Sequence, residues 1–179
     1  MKLERIDRKL AYKGHIIDLY TDYIKTPSGR IAEWDFIKHK GAAACLPILP
    51  DGRIILIRQW RNALDQVIYE IPAGGKEEGE DFLTCARREL EEETGYASCD
   101  LEFLMDVNTT VAFCDEKIGI YVARNLTKTC QHLDQDEDVE VVAFKKEEIL
   151  AMLEKGKITD SKTVAALYAY FYNTSPENP

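Results

Sequence analysis

The chain lacks any apolar run long enough to cross a bilayer, and its first residues, MKLERIDRKLAYKG, carry charge throughout with no apolar signal core. Membrane insertion and secretion are therefore not expected, and a cytoplasmic location is. It also lacks a C-x-x-C pair: the five cysteines, Cys45, Cys85, Cys99, Cys114 and Cys130, are odd in number and none has a histidine at ligand spacing. That speaks against zinc binding or cysteine catalysis and fits a reducing compartment, with each cysteine read as a small buried apolar side chain. Positive charge is in short supply, 23 Lys and Arg against 32 Asp and Glu for a net charge of −9. Nonspecific attraction to nucleic acid or an anionic membrane is thereby disfavoured. An acidic protein that handles phosphates needs local cations, and a bound divalent metal is the common way to invert its field. There is no internal repeat, low-complexity tract or linker, so 179 residues that are 45% hydrophobic and 31% charged suit a single globular domain, 1–179.

Alternation and turn signals place strands at about 4–12, 16–25 and 31–38, divided by Lys13-Gly14 and Pro27-Ser28-Gly29, which reads as an antiparallel meander. Ala42–Leu49 and Arg53–Trp60 flank Pro50-Asp51-Gly52 and predict a hairpin, followed by a short strand at Val67–Ile71. From Asp81 to Thr94 the period changes: Phe82, Ala86 and Leu90 recur every fourth residue, with Gly95 where a C-terminal cap belongs and Glu80 and Asp81 suiting the N-terminal dipole. Strands are expected again at 101–108, 117–123 and 139–144, helices at 146–154 and 160–171, and a polar, acidic loop at 125–138.

The chemistry concentrates in GGKEEGEDFLTCARRELEEETGY, Gly74 to Tyr96, a glycine-rich loop running into a helix crowded with carboxylates. Glu89, Glu92 and Glu93 lie at i, i+3 and i+4 and share one helix face, beside the apolar face of Phe82, Ala86 and Leu90. Like charges at that spacing repel by roughly a few tenths of a kcal/mol per pair, so a cation is expected nearby. Hard oxygen donors favour Mg²⁺ or Mn²⁺. Taken alone, such a run also reads as an ordinary solvated helix face.

The run does not stand alone, because these residues match the Nudix box, G-x5-E-x7-R-E-U-x-E-E-x-G-U, at every specified position: Gly74, Glu80, Arg88, Glu89, Leu90, Glu92, Glu93, Gly95 and Tyr96. The resemblance implies an α/β/α sandwich with a mixed sheet. It makes Glu89, Glu92 and Glu93 metal ligands, with Glu92 and Glu93 also counted catalytic, and adds the backbone carbonyl of Ala73 to the metal shell. Gly74, Glu80 and Arg88 become supports that hold loop against helix.

Beyond the box, IRQWRNALDQVIYEIPAGG, Phe113-Cys114-Asp115-Glu116 and DSKTVAAL (Asp160–Leu167) resemble the ADP-ribose pyrophosphatase and nucleotide-sugar hydrolase branch. For that branch the first forty residues imply a homodimer. Trp34 matches an aromatic residue that stacks on the nucleobase, with a core or interface tryptophan as the other reading. Arg61 matches an arginine that contacts substrate phosphate, although Arg58 could serve instead. Glu137 aligns with a general base, and a further carboxylate position two residues earlier holds Gln135, which cannot accept a proton as a carboxylate would; a water bridged by Glu93 is the alternative. The branch's S-P-G-F reads Thr110-Val111-Ala112-Phe113, so Val111 replaces the proline in a loop that faces substrate in relatives. The expected reaction is hydrolysis of ADP-ribose to AMP and ribose 5-phosphate, with other ADP-sugars and GDP-mannose as competitors. Nucleoside triphosphate cleavage and a sensing module that does not cut remain the rival functions.

Overall fold

The N-terminal alternation becomes three antiparallel strands in spatial order, β1 (Glu4–Lys13), β2 (Asp18–Lys25) and β3 (Ile31–Lys38). The computed structural model describes residues 3–15, 17–135 and 137–175, so the expected start of the second strand at Ile16 lies outside the described residues. Contacts group the chain into two compact units, residues 1–41 with 108–117, and residues 42–107 with 118–179. In the first, the buried Asp22 carboxylate accepts a fork of hydrogen bonds from Arg8 at 2.5 and 2.6 Å, and the same guanidinium lies 3.5 Å from the Phe36 ring centroid. Burying that charge is sustained by a paired, hydrogen-bonded partner. The loop holding Phe113 adds to the free edge of β3: Ile37 N–H donates to the Phe113 carbonyl at 2.7 Å, and His39 N–H to Asp115 Oδ1 at 2.7 Å.

The second unit contains β4 (Ala42–Pro47), β5 (Ile54–Arg61), β6 (Gln66–Glu70), β7 (Ala73–Gly75), α1 (Phe82–Thr94), β8 (Tyr96–Ala97), β9 (Asp100–Asn108), β10 (Lys117–Arg124), β11 (Thr127–Lys128), β12 (Val139–Phe144), α2 (Lys146–Glu154) and α3 (Ser161–Asn173), apart from the ends of β9 and β10 at Asn108 and Lys117. One sheet runs β7-β4-β10-β9, with β4 parallel to β10 and antiparallel to β7; a second runs β12-β5-β6, all antiparallel; β8 and β11 form a small antiparallel pair. No described helix is long and apolar enough to cross a membrane.

β4 fixes the layering. Its AAACLP is buried at every position, and alternate side chains point to opposite sheet faces. Ala42, Ala44 and Leu46 join Ile54, Leu56, Ile120, Ile149, Leu167 and Phe171 in the main core, which draws on α2 and α3. Ala43 and Cys45 face the other way, onto Cys85 and Ala86 and onto Leu90 of α1. Helices on both sides of a mixed sheet make the α/β/α sandwich expected. Buried Cys45 and Cys85 are apolar packing groups, as read, and burial pushes both thiols up, Cys85 to about 12; Cys99 and Cys130 are exposed and Cys114 half-buried, which corrects the buried reading for those three.

The predicted hairpin at Pro50-Asp51-Gly52 is corrected. The tight turn exists, closed by Gly52 N–H to the Leu49 carbonyl at 2.9 Å and Leu49 N–H to the Arg53 carbonyl at 2.8 Å. Only the Ile48–Ile54 bridge continues it, after which β4 and β5 enter different sheets. An apolar strand with two faces to bury takes the centre of a sheet, and local turn chemistry does not outweigh that. The short β7, β8 and β11 carry too few residues for any periodicity to announce them.

Candidate active site

The box helix is built by local rules. Asp81 caps α1 through Oδ1, which accepts from Thr84 N–H at 2.7 Å, and Gly95 closes it at φ 67°, its N–H donating to the Glu91 carbonyl at 2.9 Å. Buried Cys85, Ala86 and Leu90 anchor one face against the sheet, which turns Glu89 and Glu93 of the neighbouring stripe towards β7, with Glu92 more exposed beside them. Three glutamates near a helix C-terminus oppose the dipole, and no basic residue occupies the last turn. The following loop blunts that end: Gln131 Nε2 donates to the Glu93 carbonyl at 2.6 Å, His132 N–H to Glu92 at 2.9 Å and Thr129 N–H to Gly95 at 2.7 Å.

Arg88 organises the stripe. Its Nη1 donates to Glu89 Oε1 at 2.7 Å and Glu92 Oε2 at 2.9 Å, while Nε and Nη2 fork onto the two Glu80 oxygens at 3.0 Å each and Nη2 also reaches the Gly75 carbonyl at 3.1 Å. Loop and helix are thus tied through the supporting pair expected of Glu80 and Arg88. The Arg88 hydrogen bonds hold the Glu80 carboxyl down to about 2. Glu93 accepts from Ala73 N–H at 2.8 Å, so the carboxylate grips the strand just ahead of the box glycine. A Cβ at Gly74 would stand 2.1 Å from Glu89 Oε1, so any side chain there displaces that carboxylate.

Burial pushes the Glu89 carboxyl up to about 7 against the pull of Arg88, and pushes Glu93 up to about 8 against the Ala73 hydrogen bond. The charges of Glu89 and Glu137 add to the push on Glu93, and Glu137 acts on Glu89 as well. Burial is the main reason these two carboxyls resist ionisation, and a further cation beside them would favour their charged forms. The guanidinium nitrogen lodged between Glu89 and Glu92 marks where a cation is electrostatically favoured, and the donors are all hard oxygens, so the residues fit a divalent ion of the Mg²⁺ or Mn²⁺ kind. Among the described residues no three acidic, histidine or cysteine side chains converge as a ready-made metal cluster, since Glu89 and Glu92 turn to Arg88 and Glu93 to Ala73.

Glu137 is half-buried, one oxygen accepting from Asp134 N–H at 3.3 Å. Arg61 donates its Nε and Nη2 to the two oxygens of Glu70 at 2.5 and 2.8 Å, and Arg58 pairs with Glu140 at 2.6 Å. Within the first unit, Trp34 is 47% exposed and lines, with Leu19, Glu33, Asp35, Ile37, Ala112 and Phe113, a cavity of about 640 Å³. That exposure removes the core reading of Trp34. Sequence reasoning passed over Glu70, Asp160, Lys162 and Thr163, which interlock beneath the box: Glu70 and Ile71 on one side meet Lys162 and Thr163 on the other, ninety-two residues away along the chain. Their segments stood out by resemblance, but no spacing rule pairs residues so distant.

A family model for the NUDIX domain matches residues 38–167. The ADP-ribose pyrophosphatase of Bacillus subtilis (strain 168) is 37% identical over 164 residues, 90% of this chain and 89% of its own length. The methanol dehydrogenase activator of Bacillus methanolicus is 38% identical over 164 residues, again 90% of this chain and 89% of its own. A solved structure described as an ADP compounds hydrolase superposes with a TM-score of 0.86 at 22% identity, covering 95% of this chain and 92% of that one, a likeness of fold.

Proposed function

The chain belongs to the Nudix family of hydrolases, and on that premise we propose that it cleaves the pyrophosphate link of a nucleoside diphosphate sugar in the cytoplasm, with ADP-ribose as substrate and AMP and ribose 5-phosphate as products. The observation that carries this reading is the box-helix stripe in which Glu93 accepts from Ala73 N–H, Glu89 lies against Gly74 and Glu92 shares the Arg88 guanidinium with Glu89, the carboxylates of Glu89 and Glu93 being buried. The similarity to an ADP-ribose pyrophosphatase along most of both chains supports the substrate class.

Glu89, Glu92, Glu93 and the Ala73 carbonyl would hold the divalent ion. Such an ion, when bound, neutralises the diphosphate and raises the acidity of water. The chain's own groups do the rest. Glu80 and Arg88 keep the loop on the helix, and Glu93 fixes the Ala73 backbone. Glu137 takes the proton of the attacking water, while Arg61, presented on β5, steadies a substrate phosphate. Trp34, on the exposed surface of the first unit, is read by itself as an aromatic that stacks on a nucleobase. The exposed Ile6, Leu10, Tyr12 and Ile31 of the first unit belong, in this reading, to a homodimer interface.

The test is a panel of nucleoside diphosphate sugars incubated with Mg²⁺, with AMP release from ADP-ribose fastest. Faster turnover of GDP-mannose reassigns the substrate, and binding without any cleavage reassigns the chain to a sensing role. Glu93→Gln should lower kcat by about a hundredfold or more with the fold intact.

A further inference from the structure

Glu70 closes β6 with its carboxylate almost wholly withdrawn from water, and both its oxygens are claimed by cations. Arg61 reaches it from β5, and Lys162 reaches it from the first turn of α3, where the ammonium also lies 3.1 Å from the N-cap carboxylate of Asp160. Burial works against ionisation of Glu70, but the Arg61 hydrogen bonds and the Lys162 charge hold it below its usual range. The lysine is itself buried, a placement that costs a hydrated ammonium its water and persists only between well-aligned anions.

The next residue is held by the same turn of α3. Ile71 N–H donates to the buried Thr163 hydroxyl at 2.9 Å, and that hydroxyl donates to Asp160 at 2.6 Å. Pro72 follows, its carbonyl accepting from Cys45 N–H at 2.9 Å, and then Ala73, whose N–H meets Glu93. The segment that runs from the end of β6 into β7, and so presents the Ala73 carbonyl and Gly74 to the box helix, is therefore pinned at residue 70 by Lys162, at residue 71 by Thr163 and at residue 73 by Glu93.

We propose that Lys162 is a positioning residue for the Nudix reaction: clamped to Glu70, it sets where the Ala73–Gly74 backbone lies against Glu89 and Glu93. The inference rests on the reading that these groups form the active centre. Lys162 touches neither substrate nor metal in this scheme; it acts through Glu70. A merely structural lysine would be replaceable by a packed apolar chain with little change beyond melting temperature. A positioning lysine would not.

The experiment compares the wild-type chain with K162M and K162Q. Mn²⁺ affinity is read by electron paramagnetic resonance on the unreacted protein, and kcat and KM on ADP-ribose with Mg²⁺. Groups that orient metal ligands from behind are typically worth about 10–100-fold in metal affinity or activity. Both variants are therefore expected to bind Mn²⁺ about tenfold more weakly and to lose about tenfold or more in kcat, with KM moving less than twofold. A folded variant that keeps either Mn²⁺ affinity or kcat within twofold of wild type overturns the proposal, as does a change confined to KM. Failure of both variants to fold would make Lys162 a stability residue and overturn it equally. If the wild-type chain cleaves none of the sugars, the reading of the reaction fails, while the Mn²⁺ titration still decides the role of Lys162.

Discussion

Replacing Gly74 by alanine would put a methyl group where the Glu89 carboxylate now lies. The added Cβ would stand 2.1 Å from Oε1, 2.3 Å from Cδ and 2.5 Å from Oε2. Nonbonded carbon atoms settle at about 3.5–4.0 Å, so the carboxylate has to retreat by more than about 1 Å. The obstacle is the end of a flexible side chain, and the backbone of β7 need not break. Overpacking of this kind costs about 1–3 kcal/mol, partly offset by the roughly 0.5–1 kcal/mol that a strand gains when alanine replaces glycine. For a chain of this size the melting temperature should fall by no more than about 10 °C. Turnover should suffer far more: a displacement of about 1 Å in a catalytic group costs on the order of a hundredfold, about 2.7 kcal/mol in the barrier. The assay is AMP release with saturating Mg²⁺ beside a thermal melt. A folded Gly74→Ala protein whose kcat stays within about threefold of wild type would refute the claim that the position of Glu89 matters to the reaction.

Other outcomes follow from the same geometry. Glu89 and Glu93 hold protons at about 7 and about 8 that the unfolded chain releases near 4.5, so raising pH between those limits favours unfolding; the metal-free melting temperature should drop from pH 5 to 8.5, and added Mg²⁺ should restore more of it at the alkaline end. A flat melting profile would count against the buried carboxylates. Glu80 has the opposite sign: held at about 2, it contributes stability that is present above 4.5 and lost as pH falls through about 2, so Glu80→Gln should be less stable at neutral pH and less sensitive to acid, as circular dichroism in an acid titration can check. Trp34→Ala should raise KM for ADP-ribose by about 5–150-fold if one base–aromatic stack of about 1–3 kcal/mol is lost, with kcat little changed. Arg61→Ala leaves Glu70 with Lys162 alone, and chemical denaturation should show a loss of about 1.5–3 kcal/mol alongside any rise in KM.

The box helix and its caps were legible because Asp81, Gly95 and the period of Phe82, Ala86 and Leu90 are local signals acting within a few turns. The sheet order was not. Which strand lies beside β4 depends on how its two apolar faces are covered, and the parallel partner β10 lies far along the chain. The turn at Pro50-Asp51-Gly52 therefore predicted a longer pairing than the fold uses. Likewise, the spacing of Glu89, Glu92 and Glu93 showed a shared face but not that Arg88 would bind two of them, since that needs the loop and Glu80 in place. Arg61 was legible as a multidentate donor; the buried Glu70 that engages its fork was not.

The pairing of β5 with β12, which sets Gln59 opposite Val139, has a bearing on how the chain is made. A ribosome that has released β5 must go on to emit the box helix and β10 before either sheet can be completed, and contacts so distant in sequence slow the search for the native state. Until β12 arrives, one side of Ile54–Arg61 is an unpaired, largely apolar ribbon. A nascent chain stalled before residue 139 would thus be an aggregation hazard and a natural client for chaperones, even though its metal-binding helix had already been translated.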